Sequence, residues 1–213
     1  MIKFGLCNRV GDYRSYSKEK QDLFAYYLMG KAGTFLDLGC WHPDNANNTM
    51  LLEEMGWNGL MFDSNMSAIH KCIEKRSSKA FCLDVSSEVF ELVLEKYWPN
   101  QHFDYISLDV DKASLPALEN LLRNDYTFKC MTFEHDFYML GDELRKPSRE
   151  LLKSCGYNLL FADVKLRDGS IWEDWWVDSK QFSKDIMSIS ASGLCFDECI
   201  KKIEELSSHL SDD

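Results

Sequence analysis

Short apolar segments alternate with amphipathic segments along most of this chain of 213 residues. The apolar segments have the length of buried strands, and the segments between them carry apolar residues at helical spacing. Strands that alternate with helices in this way are joined by right-handed crossovers and form a mainly parallel sheet with helices on both faces. The predicted strands are residues 34–38, 59–63, 80–84, 103–109 and 128–133, and the helices that follow the first four are residues 45–55, 66–75, 89–97 and 115–122.

The pattern changes after Gly156, which ends a further helical stretch. Two apolar segments, residues 157–166 and 171–177, flank an Asp-Gly dipeptide at residues 168–169. Such a dipeptide supplies positive φ in a hairpin turn, so the sheet is predicted to finish with an antiparallel hairpin. The expected organisation is one domain over residues 31–178, with extensions over residues 1–30 and 179–213 that contain helices over residues 18–29 and 196–210.

Acidic residues outnumber basic residues by 35 to 24, which gives a net charge of −11. This charge opposes binding to nucleic acid and to anionic lipid, so neither is expected as a partner. The eight cysteines are scattered and form no Cys-x-x-Cys pair, which fits a reducing compartment. No apolar segment has the length of a signal-sequence core or of a membrane span. We therefore expect a soluble cytoplasmic protein, of an oligomeric state that the sequence leaves open.

Four successive predicted strands each end in an aspartate. In a parallel sheet the four carboxylates emerge along the carboxyl edge, where open α/β sheets bind their ligands at the switch point in strand order. A single aspartate after a strand is as readily explained as a helix N-cap, but four in register favour a binding site. The four residues are Asp37, Asp63, Asp84 and Asp109.

The first loop at this edge offers Gly39, where the backbone can closely approach a ligand, but Trp41 and Pro43 stand where a dinucleotide fold would have further glycines. This loop is therefore poorly suited to bind a pyrophosphate. Asp63, at the end of the second strand, stands where a carboxylate accepts hydrogen bonds from both ribose hydroxyls. A row of carboxylates also favours a ligand with positive charge. These features favour S-adenosylmethionine (SAM), a nucleoside with a sulfonium, over a nicotinamide dinucleotide.

The order of several motifs resembles the FkbM-like branch of class I SAM-dependent methyltransferases. The resemblance covers roughly residues 30–178 and implies a Rossmann-like, mainly parallel seven-stranded sheet. A departure from the family pattern lies after the fourth strand, where Lys112 and Ser114 replace residues that are often glycine and glutamate. The motifs are residues 33–40 (GTFLDLGC), 47–49 (NNT), 56–65 (GWNGLMFDSN), 103–111 (FDYISLDVD), 133–135 (FEH), 156–157 (GY) and 173–177 (EDWWV).

The resemblance also implies roles for particular residues. The loop at the end of the first strand would hold the methionine part of SAM, the second strand would end at the ribose, and the third at the adenine. Asp109 would lie beside the methyl group and the substrate. The cofactor-binding residues implied in this way are Asp37, Gly39, Cys40, Asp63, Ser64, Asp84, Val85 and Asp109.

Methyl transfer to a hydroxyl needs a group that removes the proton of the acceptor. His135 is the most attractive general base because its unperturbed pKa is about 6.5, and Glu134 could orient it or face the cofactor. Histidine bound within its own loop is the plainer interpretation. Other candidate bases at the strand ends are Asp109, Asp111 and Asp136.

A divalent ion, Mg²⁺ or Mn²⁺, is an alternative at the same strand ends, with Asp109, Asp111, Glu134 and His135 as ligands. Neighbouring residues of a strand point to opposite faces, so Glu134 and His135 converge only if the strand has already ended. The same alternation places Trp175 and Trp176 on opposite faces of the last strand, where one of them could stack on an acceptor.

The resulting hypothesis is a SAM-dependent methyltransferase that methylates a hydroxyl of a sugar or another small polar metabolite. Two alternatives remain. A non-catalytic module that binds SAM or a partner would explain the departures at Lys112 and Ser114. An NAD-dependent oxidoreductase is disfavoured by the missing glycines and by the carboxylates that would face an anionic cofactor.

Overall fold

The computed structural model describes residues 13–30 and 32–211, and side chains as far as residue 207. The first twelve residues of the predicted N-terminal extension and the last two of the C-terminal extension lie outside the described residues. The strands are β1 (Thr34–Leu38), β2 (Asn58–Asp63), β3 (Lys79–Cys82), β4 (His102–Leu108), β5 (Thr127–Glu134), β6 (Tyr157–Lys165), β7 (Ile171–Asp178) and β8 (Ala191–Ser192).

The predicted helices are present, although the one over residues 45–55 is shortened to α2 and the stretch before Gly156 is divided into α6 and α7, and α8 is a short addition. A 3-10 turn over Asp111–Ala113 precedes the fifth helix. The helices are α1 (Gln21–Met29), α2 (Met50–Glu54), α3 (Met66–Lys75), α4 (Glu88–Tyr97), α5 (Ser114–Arg123), α6 (Phe137–Leu140), α7 (Asp142–Ser154), α8 (Lys184–Ser188) and α9 (Phe196–Ser211).

The strands form one sheet in the order β3-β2-β1-β4-β5-β7-β6-β8. The first five strands are parallel, and β7 lies antiparallel between β5 and β6. The predicted α/β fold with a mainly parallel sheet and a final antiparallel hairpin is therefore confirmed. The sheet has eight strands instead of seven, because two residues of β8 pair parallel to β6.

Apolar side chains cover both faces of the sheet. On one face, α1, α2, α3, α8 and α9 pack around a cluster that contains Phe35 and Trp175. On the other face, α4, α5 and α7 pack around a cluster that contains Phe62 and Trp176. Both tryptophans are fully buried, so the predicted alternation is confirmed but neither ring is free to stack on an acceptor.

The predicted helix over residues 45–55 is the main local difference. Only Met50–Glu54 are helical, and residues 41–49 form an irregular loop at the end of β1. Polar side chains account for this loop, since Asn47 donates to the carbonyl of Cys40 and Thr49 donates to Asp37. Side chains that bind the backbone and a buried carboxylate compete with helical hydrogen bonding.

Within the described residues, no helix combines the length and the apolar character that crossing a bilayer would require.

Candidate functional site

The strand order reverses between β1 and β4, because the chain first builds β2 and β3 on one side of β1 and then crosses to the other side. Open α/β sheets bind ligands outside the carboxyl ends of the strands at such a point. A cavity of about 590 Å³ opens there. Its lining residues are Lys18, Gln21, Gly39, Trp41, Ala46, Asn48, Asp63, Ser64, Asn65, Leu83, Asp84, Val85, Asp109, Val110, Asp111, Ala113, Glu134 and Trp172.

Gly39 holds the ends of β1 and β4 together at the base of this cavity. Its φ is +92°, and a Cβ atom at this position would lie 1.7 Å from the carbonyl oxygen of Asp109. The amide of Gly39 donates to the carbonyl of Phe62, and the amide of Asp109 donates to the carbonyl of Leu38. Only glycine permits this approach to the backbone of Asp109, and the close approach of Gly39 to a ligand stays a prediction.

Asp63 ends β2 with its carboxylate fixed by two backbone amides. Oδ2 accepts from the amide of Trp41 at 2.8 Å, and Oδ1 accepts from the amide of Asn65 at 2.8 Å. Each carboxylate oxygen has a second lone pair. Asp63 lines the cavity, so a pair of vicinal hydroxyls could bind to both oxygens at once.

The loop after β3 contributes Asp84 and Val85 to the cavity wall, next to Ser64 after β2. Asp84 is exposed, and its Oδ1 accepts from the hydroxyl and the amide of Ser86, which lowers the pKa of the carboxyl. Val85 is 3% exposed and gives this end an apolar surface. The combination suits a flat nucleobase with polar edges.

Asp37 and Cys40 lie beneath the cavity and are absent from its lining. Asp37 is buried and accepts from Thr49 Oγ1 at 2.7 Å and from Asn47 Nδ2 at 3.3 Å. Burial raises the pKa of its carboxyl to about 6. The Sγ atom of Cys40 packs 3.9 Å from that of Cys72. These two residues therefore support the loop after β1 on the side away from the cavity.

The opposite end of the cavity is acidic. Asp109 follows β4, and Glu134 is the last residue of β5 with 9% of its surface exposed. Burial raises the pKa of both carboxyls, and the hydrogen bond between them raises the pKa of Glu134 and lowers that of Asp109. The proton that the pair shares therefore resides mainly on Glu134.

His135 lies apart from this pair. It is fully buried and does not line the cavity. Its Nδ1 accepts from the amide of Phe137 at 3.3 Å, and its Nε2 lies 3.4 Å from Asp174 Oδ1. The amide of His135 still bonds to the carbonyl of Trp172, so the pairing with β7 continues past Glu134. Side-chain alternation then separates the two residues, and the imidazole has the plainer role of a histidine bound within the protein.

The four predicted metal ligands are not gathered around one point. In the part of the chain that the structure describes, the one group of three suitable ligand atoms is His135, Asp163 and Asp174. Arg149 bridges both aspartates of that group at 2.7 Å, and Arg145 reaches Asp163 at 3.0 Å. The guanidinium groups already neutralise these carboxylates, so the group does not suit a cation.

The two departures from the family pattern have structural partners. Lys112 is exposed and pairs with Glu143 at 3.5 Å. Ser114 is fully buried, and its Oγ accepts from the amide of Val110 at 3.2 Å, which fixes the turn between Asp109 and α5. Neither residue blocks the cavity.

Sequence reasoning missed the part of the cavity wall that comes from the N-terminal segment and from β7. Asp22 accepts from the hydroxyl of Ser15 and from the amide of Tyr16, and this places Lys18 and Gln21 over the cavity. No motif marks these positions. Trp172 belongs to the predicted strand over residues 171–177, which is rich in tryptophan, but nothing in that pattern marks it as a cavity residue.

Comparison with known proteins supports the fold. No protein-family model and no curated protein matches the chain. A Bacillus cereus O-methyltransferase in complex with SAH is similar in structure, with a TM-score of 0.56, 10% identity, and coverage of 75% of this chain and 80% of that one.

Two further solved structures are similar. One is a TehB-like SAM-dependent methyltransferase from Corynebacterium glutamicum, with a TM-score of 0.51, 15% identity, and coverage of 76% of this chain and 89% of that one. The other is a putative rRNA methylase from Clostridium thermocellum, with a TM-score of 0.51, 14% identity, and coverage of 75% and 92%. The chain therefore has the Rossmann-like fold of class I SAM-dependent methyltransferases, and membership of the FkbM-like branch stays a prediction.

Proposed function

We propose that this protein is a SAM-dependent methyltransferase that methylates a hydroxyl of a sugar or another small polar metabolite. The observation that carries the proposal is the cavity at the switch point between β1 and β4, in a fold shared with SAM-dependent methyltransferases. Gly39, Asp63 and Asp109 meet around this cavity from three strand ends.

The shape and charge of the cavity favour SAM over a dinucleotide. Its volume of about 590 Å³ is that of a pocket for one small ligand with part of a second. Asp63 would bind the ribose, Asp84 and Val85 would flank the adenine, and the loop after Gly39 would hold the methionine part. Within the part of the chain that the structure describes, five carboxyl groups and one ammonium line the cavity. A cationic sulfonium is attracted by that charge, whereas a pyrophosphate is repelled.

Methyl transfer is an in-line displacement, so the chief contribution of the protein is alignment of the hydroxyl oxygen, the methyl carbon and the sulfur. Asp109 would lie beside the methyl group and accept the hydroxyl proton, because the pair with Glu134 leaves Asp109 the more ionised carboxyl. His135 would take no direct part in the transfer, since its imidazole faces Asp174 and does not line the cavity.

Isothermal titration calorimetry with S-adenosylhomocysteine (SAH) and NADH tests the cofactor. SAH should bind at micromolar concentration and NADH should not bind. Binding of NADH alone would support the oxidoreductase alternative, and binding of neither ligand would overturn the proposal.

Incubation with methyl-labelled SAM and pooled small hydroxyl metabolites tests the reaction. Label should appear in a product whose methyl ether survives mild base, with and without EDTA. If SAH binds but no label is transferred from SAM to any member of the pool, the non-catalytic alternative is favoured.

A further inference from the structure

With Glu134 ionised, the end of the cavity beyond the predicted methyl position is more acidic than bound SAM can neutralise. Asp109, Asp111 and Glu134 lie there, and among the described residues the cationic side chain in the lining is that of Lys18. SAM carries a net charge of +1, from its sulfonium, ammonium and carboxylate. Excess negative charge in a partly enclosed site attracts a cationic second ligand and repels an anionic one.

Glu134 adds a separate observation that points to a ligand. It lines the cavity and is nine-tenths buried, yet its neighbours Asp109 and Asp136 are carboxyls like itself, and no other N–H or O–H group among the described residues reaches its Oε2. Asp136 Oδ1, in the next turn, is likewise buried without such a donor. A buried carboxylate oxygen without a donor is costly, so a proton or a bound cation must be supplied there.

Trp172 shows which kind of cation the site accommodates. Its indole lines the same end of the cavity, and the Lys18 ammonium lies 5.1 Å from the centre of a ring. Carboxylates beside an aromatic face are the groups that bind ammonium ions in proteins. Lys18 is exposed on a flexible stem, so its ammonium can move into solvent when another cation takes the ring face.

We propose that the methyl acceptor carries a protonated amine near its reacting hydroxyl, and that Glu134 and the face of Trp172 bind this ammonium. The substrate class is then an amino alcohol or an amino sugar. This inference rests on the proposed function, because it concerns the second ligand of the same cavity. When the ammonium binds, it replaces the proton that Glu134 holds in the empty site.

The test is calorimetric titration of the full chain saturated with SAH, in phosphate buffer because Tris is itself an amino alcohol. Two matched pairs of probes are used, ethanolamine with N-acetylethanolamine and glucosamine with N-acetylglucosamine. At least one amine should bind roughly tenfold or more tightly than its neutral partner, because the ammonium pairs with a buried carboxylate.

Glu134→Gln should reduce this preference to less than about twofold. Glutamine resembles the protonated carboxyl of the empty site, so the variant should fold and should still bind SAH. Glu143→Gln removes the same charge from an exposed position on α7 and should keep the full preference. Lys18→Ala should not weaken amine binding, because Lys18 competes for the ring.

Three results would overturn the inference. Equal binding of every amine and its neutral partner would exclude an ammonium site while leaving SAH binding, and the proposed function, intact. Loss of amine binding in EDTA would indicate a metal site instead. Weaker binding in Lys18→Ala would indicate that Lys18 binds an anionic group of the acceptor. Failure of SAH itself to bind would instead refute the proposed function.

Discussion

Asp63→Asn is the sharpest test of how the cavity holds a nucleoside. The two carboxylate oxygens each accept from one backbone amide at 2.8 Å, and each keeps a lone pair for a ribose hydroxyl. A hydrogen bond to a charged group contributes about 1.5–3 kcal/mol, and asparagine keeps one acceptor oxygen, so at least one such bond is lost. SAH affinity should therefore fall by at least about tenfold.

Asparagine also places an NH₂ group opposite the amide of Trp41 or of Asn65, so part of any loss could come from the loops. A comparison of adenosine with 2′,3′-dideoxyadenosine separates the two effects. The wild-type protein should prefer adenosine by roughly tenfold or more, since only adenosine has the hydroxyls that pair with the carboxylate. Asp63→Asn should reduce this preference severalfold, because only one acceptor oxygen remains and it is uncharged.

Calorimetry measures the four affinities, and thermal unfolding followed by circular dichroism checks the fold. Asp142→Asn, at an exposed position in α7, is the matched control and should keep both the SAH affinity and the preference for adenosine. If Asp63→Asn still prefers adenosine as the wild type does, the ribose does not bind at Asp63, and our placement of the nucleoside is wrong.

Three further variants test the scaffold. Gly39→Ala should abolish SAH binding, because its Cβ would lie 1.7 Å from a backbone oxygen. The control Gly156→Ala, at a similar φ but in open space, should keep SAH binding, and equal effects of the two variants would contradict this reasoning. Arg149→Met should lower the free energy of unfolding in urea by about 2–3 kcal/mol, which is less than for a wholly buried ion pair because 21% of the Arg149 side chain is exposed. The control Lys146→Met, at an exposed position, should leave the free energy of unfolding unchanged. Burial raises the pKa of Glu173 from 4.5 to about 8, so the native state holds a proton that the unfolded chain releases, and stability should fall between about pH 4.5 and 8. Glu173→Gln should flatten that fall, and an unchanged pH profile would show that Glu173 is ionised in the folded protein.

The strand ends were predictable because their signal is local. Asp63 and Asp109 each directly follow an apolar run, and parallel pairing brings such residues to the same edge of a sheet. Gly39 was identified for the same reason, as a glycine at the first turn. The structure places all three around the cavity, with Asp84 beside them.

The buried position of Asp37 could not be predicted from its local sequence. The sequence places it at the end of a strand like the other three aspartates, but the loop that follows β1 folds back over it. Thr49 and Arg76 are what keep it under the cavity, the first by a hydrogen bond at 2.7 Å and the second by its charge. These partners lie 12 and 39 positions away in the sequence, and no motif predicts their contacts with Asp37.

The orientation of the His135 imidazole likewise depends on contacts that are distant in the sequence. Residue type made it the best candidate base, but the geometry of a strand end decides which neighbour faces the ligand. Pairing with β7 continues to the amide of His135, so alternation turns the imidazole toward Asp174 and leaves Glu134 at the cavity. The point at which β5 stops pairing depends on β7, which begins at Ile171, 36 positions after His135. In this sheet the pairing of β5 with the antiparallel strand β7 therefore decides which side chain faces the acceptor end, and the carboxyl pair of Asp109 and Glu134 is its result.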